Sequence, residues 1–345
     1  MNEMYHVIMA GGIGSRFWPM SRKNKPKQFL NLFENDNLLN LTYKRLMQVT
    51  TPERIIIITS FKYKEKIKNQ FKDIPVGNII YEPSPKNTAP AIYLSAKYIY
   101  SLDNNASVAI YPADHFIENN SQFCKIINNI SKFINNNSNS IITIGIEPNY
   151  PSTSYGYINC EDNKEEVFLK INQFLEKPNS HKAKELIKEK NNLWNSGMFF
   201  SKAKTLIDEI DCFIPEIKVL FDSLDTINAY ENIWDRMPKI SIDYGVMEKT
   251  NKAFCIKGTF NWSDLGTWVA LYDLLEKDDN GNVHKGNVID FDSSNNLIIS
   301  NNKLTSVVGL SNIAIINLDD ATLVIDLFRS EEVRKIIDQL DEKYK

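Results

Sequence analysis

The hydrophobic residues in the first half of the chain follow two alternating patterns, short β-branched runs and longer amphipathic stretches. The short runs predict strands at residues 6–10, 54–60, 78–82, 107–112 and 141–146. The stretches between them have helical spacing and predict helices at residues 38–49, 62–71, 88–101 and 121–135. This alternation is typical of an α/β fold built from βαβ units, with a mainly parallel sheet that is covered on both faces. Ligands of such a fold bind beyond the carboxyl ends of the strands.

The pattern changes after residue 155. Longer strands are predicted at residues 155–160, 167–176 and 193–201, and helices follow to about residue 237. The cluster Asp278-Asp-Asn-Gly281 predicts a turn, beyond which short strands are evenly spaced at residues 287–290, 297–300, 305–308, 313–317 and 322–325. A last helix is predicted from Ser330 as its N-cap, because two acidic residues follow it. We therefore predict a large domain over residues 1–278 and a small β domain with a terminal helix over residues 283–345.

Composition and charge exclude several classes of protein. The 345 residues are 43% hydrophobic and 24% charged, which is typical of a folded globular protein. A formal net charge of −3 argues against a surface built to collect nucleic-acid phosphates. The longest aliphatic runs are far shorter than the ~20 residues of a membrane helix, and the amino terminus has no signal-peptide pattern, so we expect a cytoplasmic protein without membrane or nucleic-acid partners. Four widely separated cysteines predict free thiols.

A glycine-rich segment follows the first predicted strand. Gly11, Gly12 and Gly14 expose backbone N–H groups that can form a nest for phosphate oxygens. The spacing is neither a dinucleotide-binding fingerprint nor a P-loop. Arg16 and Lys27 follow as two cations that could neutralise a triphosphate. The alternative is a tight glycine turn with surface bases.

Two aspartates have the positions expected of a magnesium site. Asp114 comes directly after the strand predicted at residues 107–112, and Asp264 lies in an aromatic, Gly-containing turn. Mg²⁺ commonly uses one or two protein carboxylates together with phosphate oxygens of the substrate. The alternative reading of either residue alone is an Asx turn.

A third group of residues has side chains suited to a phosphorylated sugar. Glu176 and Lys177 end a predicted strand, and the carboxylate could accept hydrogen bonds from hydroxyl groups while the ammonium contacts a phosphate. Asn195 can donate and accept hydrogen bonds, and Gly156 permits close approach. A solvated strand end is an equally acceptable reading of residues 176 and 177.

The segment from Glu82 to Pro90 is stiffened by three prolines. Asn87 or Thr88 supplies the N-cap of the next predicted helix. The segment either serves as this cap alone or forms a rigid edge against which a purine base packs. The spacing does not separate these two readings.

Taken together, these segments resemble the mannose-1-phosphate guanylyltransferase (GDP-mannose pyrophosphorylase) family of the sugar-nucleotidyltransferase superfamily. The matching motifs run in the family's order from about residue 5 to residue 275, and they begin at Gly11, Pro26, Asn87, Pro112, Tyr155, Phe174, Trp194, Ile242 and Trp262.

The resemblance implies a Rossmann-like GT-A nucleotidyltransferase core with a mainly parallel or mixed sheet, followed by a small β-helix-like domain. It implies that the protein transfers GMP from GTP to mannose 1-phosphate with the help of Mg²⁺. By the resemblance, Arg16 and Lys27 are triphosphate contacts, Asp114 and Asp264 are metal ligands, and Lys177 contacts the sugar phosphate. It also implies substrate-binding positions in the Gly loop and elsewhere, at Gly11, Gly12, Gly14, Gly156, Glu176, Asn195 and Asp243. From the proline-stiffened segment, we add Glu82, Asn87 and Thr88 as predicted substrate-binding positions.

Other functions stay open at this point. The same chemistry could act on another sugar 1-phosphate, for example a heptose 1-phosphate, or the protein could bind GDP-mannose as a regulator without catalysis. A homodimer is compatible with the sequence. The chain ends before any isomerase domain of the kind that longer relatives carry, so no isomerase activity is expected.

Overall fold

The computed structural model describes residues 4–12, 14–33, 36–163 and 165–345, and the chain divides into two compact units. The first, which we call the sheet unit, comprises Met1–Gly11, Thr42–Ala113 and Ile117–Trp262. The second, the terminal unit, comprises Gly12–Leu41, Asp114–Phe116 and Ser263–Lys345.

The strands, numbered in chain order, are β1 Tyr5–Ala10, β2 Ile55–Ser60, β3 Ile79–Glu82, β4 Ser107–Pro112, β5 Phe116–Ile117, β6 Ile141–Ile146, β7 Tyr157–Cys160, β8 Phe168–Leu175, β9 Asn192–Lys202, β10 Ala253–Lys257, β11 Trp262–Ser263, β12 Val283–Phe291, β13 Leu297–Val308, β14 Ile313–Asn317 and β15 Thr322–Asp326. The α-helices are α1 Leu38–Leu46, α2 Lys64–Gln70, α3 Thr88–Leu102, α4 Asn120–Asn136, α5 Ser180–Leu186, α6 Ala203–Phe213, α7 Pro215–Asp222, α8 Glu231–Trp234, α9 Trp268–Leu274 and α10 Val333–Ile337. A π-helical turn covers Asp243–Met247. No described helix is long and apolar enough to cross a membrane.

The sheet unit contains a mixed sheet of nine strands in the order β3-β2-β1-β4-β9-β6-β10-β8-β7. The pairs β2–β3, β1–β2, β1–β4 and β6–β10 are parallel, whereas β9 runs antiparallel to β4, β6 and β7. The predicted α/β class with a parallel or mixed sheet is therefore confirmed.

The central strands of this sheet are buried on both faces. All four isoleucines of Ile55–Ile58 are fully buried, and so are Ile141 and Ile142 at the start of β6. A sheet covered by helices on both faces requires continuous rather than alternating apolar runs. Helices α3 and α6 pack against each other in the same core.

The terminal unit has its own core. In it, β12, β13 and β14 pair in parallel and β15 pairs antiparallel to β14. Phe17 and Leu30 from the amino-terminal part of the unit belong to the same hydrophobic cluster as Leu297 and Ile316. Residues 12–41 therefore belong to the same compact unit as the carboxyl-terminal strands. The domain boundary between residues 278 and 283 stays a prediction.

Two local predictions for the terminal unit were wrong. The strands predicted at 297–300 and 305–308 are one strand, β13, whose first part pairs with β14 and whose second part pairs with the end of β12. Ser330 does not cap a helix, because a 3-10 segment already begins at Leu327 and is capped by Asp326, whose Oδ1 accepts a hydrogen bond from the backbone N–H of Phe328. The Ser330 hydroxyl is buried and instead accepts from the N–H of Val269 at 3.4 Å.

Candidate active site

In the glycine-rich segment, Gly14 has a left-handed backbone conformation and a close contact that both require glycine. Gly14 has a φ of +65°, and a Cβ built on it would lie 2.2 Å from the Cβ of Lys27. A methyl group at Gly12, by contrast, would meet open space. Gly14 precedes the 3-10 turn Ser15–Phe17, in which the Arg16 side chain turns toward the carbonyl oxygen of Gly266, with its NH1 at 3.4 Å. The segment is therefore packed closely against Lys27 on one side and open on the other.

Lys27 joins the two aspartates that the sequence singled out. Its ammonium nitrogen lies 2.9 Å from Oδ2 of Asp114 and donates a hydrogen bond to the backbone carbonyl of Asp264. The Lys27 side chain is only 6% exposed, whereas that of Asp114 is 31% exposed. Burial alone would raise the pKa of Asp114, but the charges of Lys27 and His115 outweigh it and hold this pKa below its ordinary value.

The turn that carries Asp264 is fixed by its own hydrogen bonds. The backbone N–H of Gly266 donates to Oδ1 of Asp264 at 2.9 Å, and the N–H of Leu265 donates to the Ser263 hydroxyl at 3.0 Å. A Cβ on Gly266 would lie 2.8 Å from Oδ2 of Asp264 and 3.0 Å from NH1 of Arg16. The two carboxylates are thus part of one cluster with two cations in the terminal unit.

The donor set of this cluster fits a magnesium ion. Asp114 and Asp264 offer carboxylate oxygens, and Asp264 adds a backbone carbonyl, which are the hard oxygen ligands that Mg²⁺ prefers. None of the side chains of the cluster is a thiolate, which would favour a softer metal. The exposed part of Asp114 leaves room for further oxygen ligands.

Glu82 ends β3 as a buried carboxyl without a partner. It is 7% exposed, and among the described residues no donor makes a hydrogen bond to its carboxyl group. Burial raises its pKa to about 7. A Cβ on Gly11 would lie 2.5 Å from its Oε2, so only glycine at this position leaves the carboxyl in place. A buried group of this kind is typical of a site that receives hydrogen bonds from a ligand.

Asn87 and Thr88 have structural tasks. The Asn87 side chain caps α3 by accepting the N–H of Thr88 at 2.9 Å. The Thr88 hydroxyl accepts the N–H of Ile242 at 2.9 Å, directly before Asp243. The cap that the sequence predicted is present, whereas contact of either residue with a nucleotide stays a prediction.

Asn195 in β9 is oriented unambiguously by its neighbours. Its Oδ1 accepts hydrogen bonds from the Thr143 hydroxyl at 2.9 Å and from the N–H of Gly197 at 3.1 Å. Its amide nitrogen must therefore be the donor that lies 3.1 Å from Oδ1 of Asp243. This nitrogen carries a second hydrogen that can be donated as well.

Two further carboxyl groups and one ammonium are linked to each other near Asp243. Lys177, at a φ of +46°, forms an ion pair with Glu176. Oε1 of Glu248 accepts the backbone N–H of Glu176 at 2.9 Å. A Cβ on Gly156 would lie 2.5 Å from Oε2 of Glu176. Burial, and secondarily the charge of Glu176, raises the pKa of Asp243 to about 7, although Lys177 acts in the opposite direction. The cluster can both donate and accept hydrogen bonds.

The structure therefore brings the predicted residues together in two groups. Arg16, Lys27, Asp114 and Asp264 form the group in the terminal unit, and Gly156, Glu176, Lys177, Asn195 and Asp243 form the group in the sheet unit. Sequence reasoning missed the supporting roles of Thr143 and Glu248. Glu248 lies in the motif that begins at Ile242, but Thr143 gives no signal beyond being a polar residue in an apolar strand.

Comparisons with known proteins define the class of this chain. A family model described as nucleotidyl transferase matches residues 5–281, and a model described as MannoseP isomerase/GMP-like beta-helix domain matches residues 286–340. The chain is therefore a nucleotidyltransferase with a carboxyl-terminal β-helix-like domain.

Relatives narrow this class to one family. The chain is 35% identical to mannose-1-phosphate guanylyltransferase 2 of Escherichia coli O157:H7 and 34% identical to mannose-1-phosphate guanylyltransferase of Salmonella montevideo, in each case over 97% of this chain and 73% of the relative. A crystal structure from Thermus thermophilus, titled mannose-1-phosphate geranyltransferase, superimposes with a TM-score of 0.88 over 98% of this chain and 99% of that one, at 27% identity. The chain belongs to the mannose-1-phosphate guanylyltransferase family.

Proposed function

We propose that this protein transfers the GMP group of GTP to mannose 1-phosphate, forming GDP-mannose and pyrophosphate. The family membership supports the reaction class and the substrates. The observation that carries the proposal is the cluster in which the Lys27 ammonium touches the Asp114 carboxylate and the Asp264 carbonyl beside Arg16. This cluster combines the cations that bind phosphate groups with the oxygen ligands that bind Mg²⁺, and transfer of GMP between two anionic substrates requires both.

Repulsion between the substrates is the main barrier to this reaction. Two unit charges about 4 Å apart cost about 4 kcal/mol at an effective dielectric constant of ~20, and each substrate carries several charges. Mg²⁺ held by Asp114 and Asp264 would supply charge stabilisation at the phosphates. Arg16 and Lys27 add two positive charges that bind and orient the triphosphate. A general base is not needed, because a phosphate monoester with a second pKa of ~6 is largely dianionic at neutral pH.

We assign the sugar and the guanine base to separate residues of the sheet unit. Lys177 binds the sugar phosphate, while Glu176 and Asp243 accept hydrogen bonds from hydroxyl groups and Asn195 donates one. Glu82 accepts the two adjacent N–H donors on the edge of guanine. Adenine presents one donor and one acceptor on that edge, so the ionised carboxyl favours GTP over ATP.

A substrate panel tests the proposal. Pyrophosphate release is measured with each of GTP, ATP, UTP and dTTP against mannose 1-phosphate, glucose 1-phosphate and a heptose 1-phosphate. We expect GTP with mannose 1-phosphate to have the highest kcat/KM. A higher value for any other pair would contradict the assigned substrates, and no release with any pair, although GDP-mannose binds, would favour a regulator. The cytoplasmic location and a homodimer stay predictions from the sequence.

A further inference from the structure

The ammonium of Lys27 is buried against the two aspartates of the proposed magnesium site. It is 2.9 Å from Oδ2 of Asp114 and donates to the carbonyl oxygen of Asp264, so it already contacts both residues of the proposed magnesium site. The nitrogen also lies 5.8 Å from the centre of the Phe17 ring, which covers it on another side. With its side chain 6% exposed, this lysine is a buried cation in a site built for a cation.

The stem of the lysine is held by the glycine-rich segment. The Lys27 Cβ lies 2.2 Å from the position that a Cβ on Gly14 would take, and its Cγ and Cδ lie 3.2 Å from the same position. The stem of the side chain therefore occupies the space that the absence of a Cβ at Gly14 provides, and its ammonium can leave Asp114 by rotation of the outer methylene groups. A lysine has this freedom because its charge sits at the end of a flexible four-carbon stem.

A divalent ion and the ammonium are incompatible on the same carboxylate oxygen. A divalent ion on Oδ2 of Asp114 would share that oxygen with the ammonium and would be repelled by its charge. A bound triphosphate offers the ammonium several negatively charged oxygens in exchange for one carboxylate oxygen. Nucleotide binding therefore removes the obstacle to metal binding.

We propose that Lys27 is a positioning residue that occupies the metal site of the nucleotide-free protein and transfers to the triphosphate when the nucleotide binds, so that the nucleotide makes the site available to the divalent ion. The inference rests on the proposed function, since it assumes that Asp114 is a metal ligand. By linkage, the divalent ion must increase the affinity for the triphosphate by the same factor. The alternative is a permanent ion pair between Lys27 and Asp114, with the divalent ion bound elsewhere.

Binding of Mn²⁺ to the nucleotide-free protein tests the inference without an activity measurement. The free ion is titrated by electron paramagnetic resonance with the wild type, Lys27→Met, Asp114→Asn and the double variant. Lys25→Met is the matched control, because it removes the same charge from an exposed position two residues away. We expect Lys27→Met to bind Mn²⁺ at least tenfold more tightly than the wild type, and Lys25→Met to change the Kd by less than threefold. In the double variant, the Asp114→Asn substitution should abolish the increase in Mn²⁺ affinity that Lys27→Met alone produces.

The outcomes separate the inference from the proposed function. If Asp114→Asn weakens Mn²⁺ binding but Lys27→Met does not tighten it, the role of Lys27 is overturned while the metal site stands. If Asp114→Asn leaves Mn²⁺ binding unchanged in both backgrounds, the proposed metal site itself is overturned. Lys27→Gln, which keeps a hydrogen-bond donor without the charge, should show the same gain and serves if the methionine variant does not fold.

A second measurement uses the coupling between ligands. The ratio of the Mn²⁺ dissociation constants without and with a non-hydrolysable GTP analogue is determined for the wild type and for Lys27→Gln. Because the variant has no ammonium to displace, we expect its ratio to be at least tenfold smaller. An equal ratio in both proteins would overturn the inference.

Discussion

Replacing Glu82 by glutamine removes a buried charge that the ligand-free protein has to accommodate. Burial raises the pKa of Glu82 from 4.5 to about 7 in the folded state. The folded protein binds this proton more tightly than the unfolded chain. The ionised carboxyl therefore lowers the free energy of unfolding only above about pH 4.5, by an amount that grows up to pH 7 and stays constant above pH 7. A pKa of about 7 instead of 4.5 corresponds to a full cost of about 3 kcal/mol.

The Glu82→Gln variant should therefore gain stability over the wild type as the pH rises. Integrating between pH 5 and pH 8, we expect the difference in the free energy of unfolding to grow by about 2.5 kcal/mol in favour of the variant. Urea unfolding at both pH values measures it, and Glu147→Gln, at an exposed carboxyl, is the control. The same variant should raise the KM for GTP. If the stability difference is the same at pH 5 and pH 8, burial does not raise the pKa of the Glu82 carboxyl. The proposal that Glu82 binds the guanine base then fails.

Further variants examine single contacts. Lys177→Ala should raise the KM for mannose 1-phosphate at least tenfold while GTP binding, measured by calorimetry, survives; an unchanged KM would place the sugar phosphate elsewhere. Thr88→Val leaves the N–H of Ile242 without its acceptor and should destabilise the protein by about 1–3 kcal/mol in urea unfolding, and no loss would mean that this bond is not made. Since the pKa of Asp243 is raised to about 7, its ionisation adds to that of the sugar phosphate itself in the pH dependence of the KM between pH 6 and 8, and Asp243→Asn should leave only the contribution of the substrate. A pH profile that is identical in the variant would exclude Asp243.

The sheet could be predicted from the sequence because each central strand is a short, continuous apolar run. Ile55–Ile58 and Ile141–Ile146 are buried throughout, so composition alone distinguishes them from the amphipathic helices between them. The antiparallel insertion of β9 between β4 and β6 was not predictable, because no local pattern records which strand pairs with which.

Local rules failed where tertiary packing competes with them. Ser330 followed by two glutamates has the pattern of a helix start, but its hydroxyl is buried beside Val269 and the cap is supplied by Asp326 four residues earlier. The sequence of the single strand β13 suggests two strands because residues 301–304 in its middle are exposed and mostly polar. These residues also do not pair with β14.

The candidate site was predictable where a residue type itself suggests its chemistry. Asp114, Asp264 and Lys177 could be proposed because carboxylates and ammonium groups after a strand or in a turn suggest metal and phosphate binding, and these roles stay predictions. Thr143 and Glu248 act through other side chains, and their partners Asn195 and Glu176 are distant in sequence. Such roles appear only when the fold brings the residues together.

The turnover of Asp114→Asn and Asp264→Asn tests the central claim, which is that the cluster around Lys27 holds the cation that lets two phosphate-bearing substrates react. Pyrophosphate release from saturating GTP and mannose 1-phosphate is measured for both variants, with Asp225→Asn, at an exposed aspartate, as the control. We predict that each of the first two variants loses ~10²-fold or more in kcat, as expected for removal of a group that stabilises charge in the transition state, while the control keeps the wild-type rate. Wild-type turnover in either Asp114→Asn or Asp264→Asn would contradict the claim.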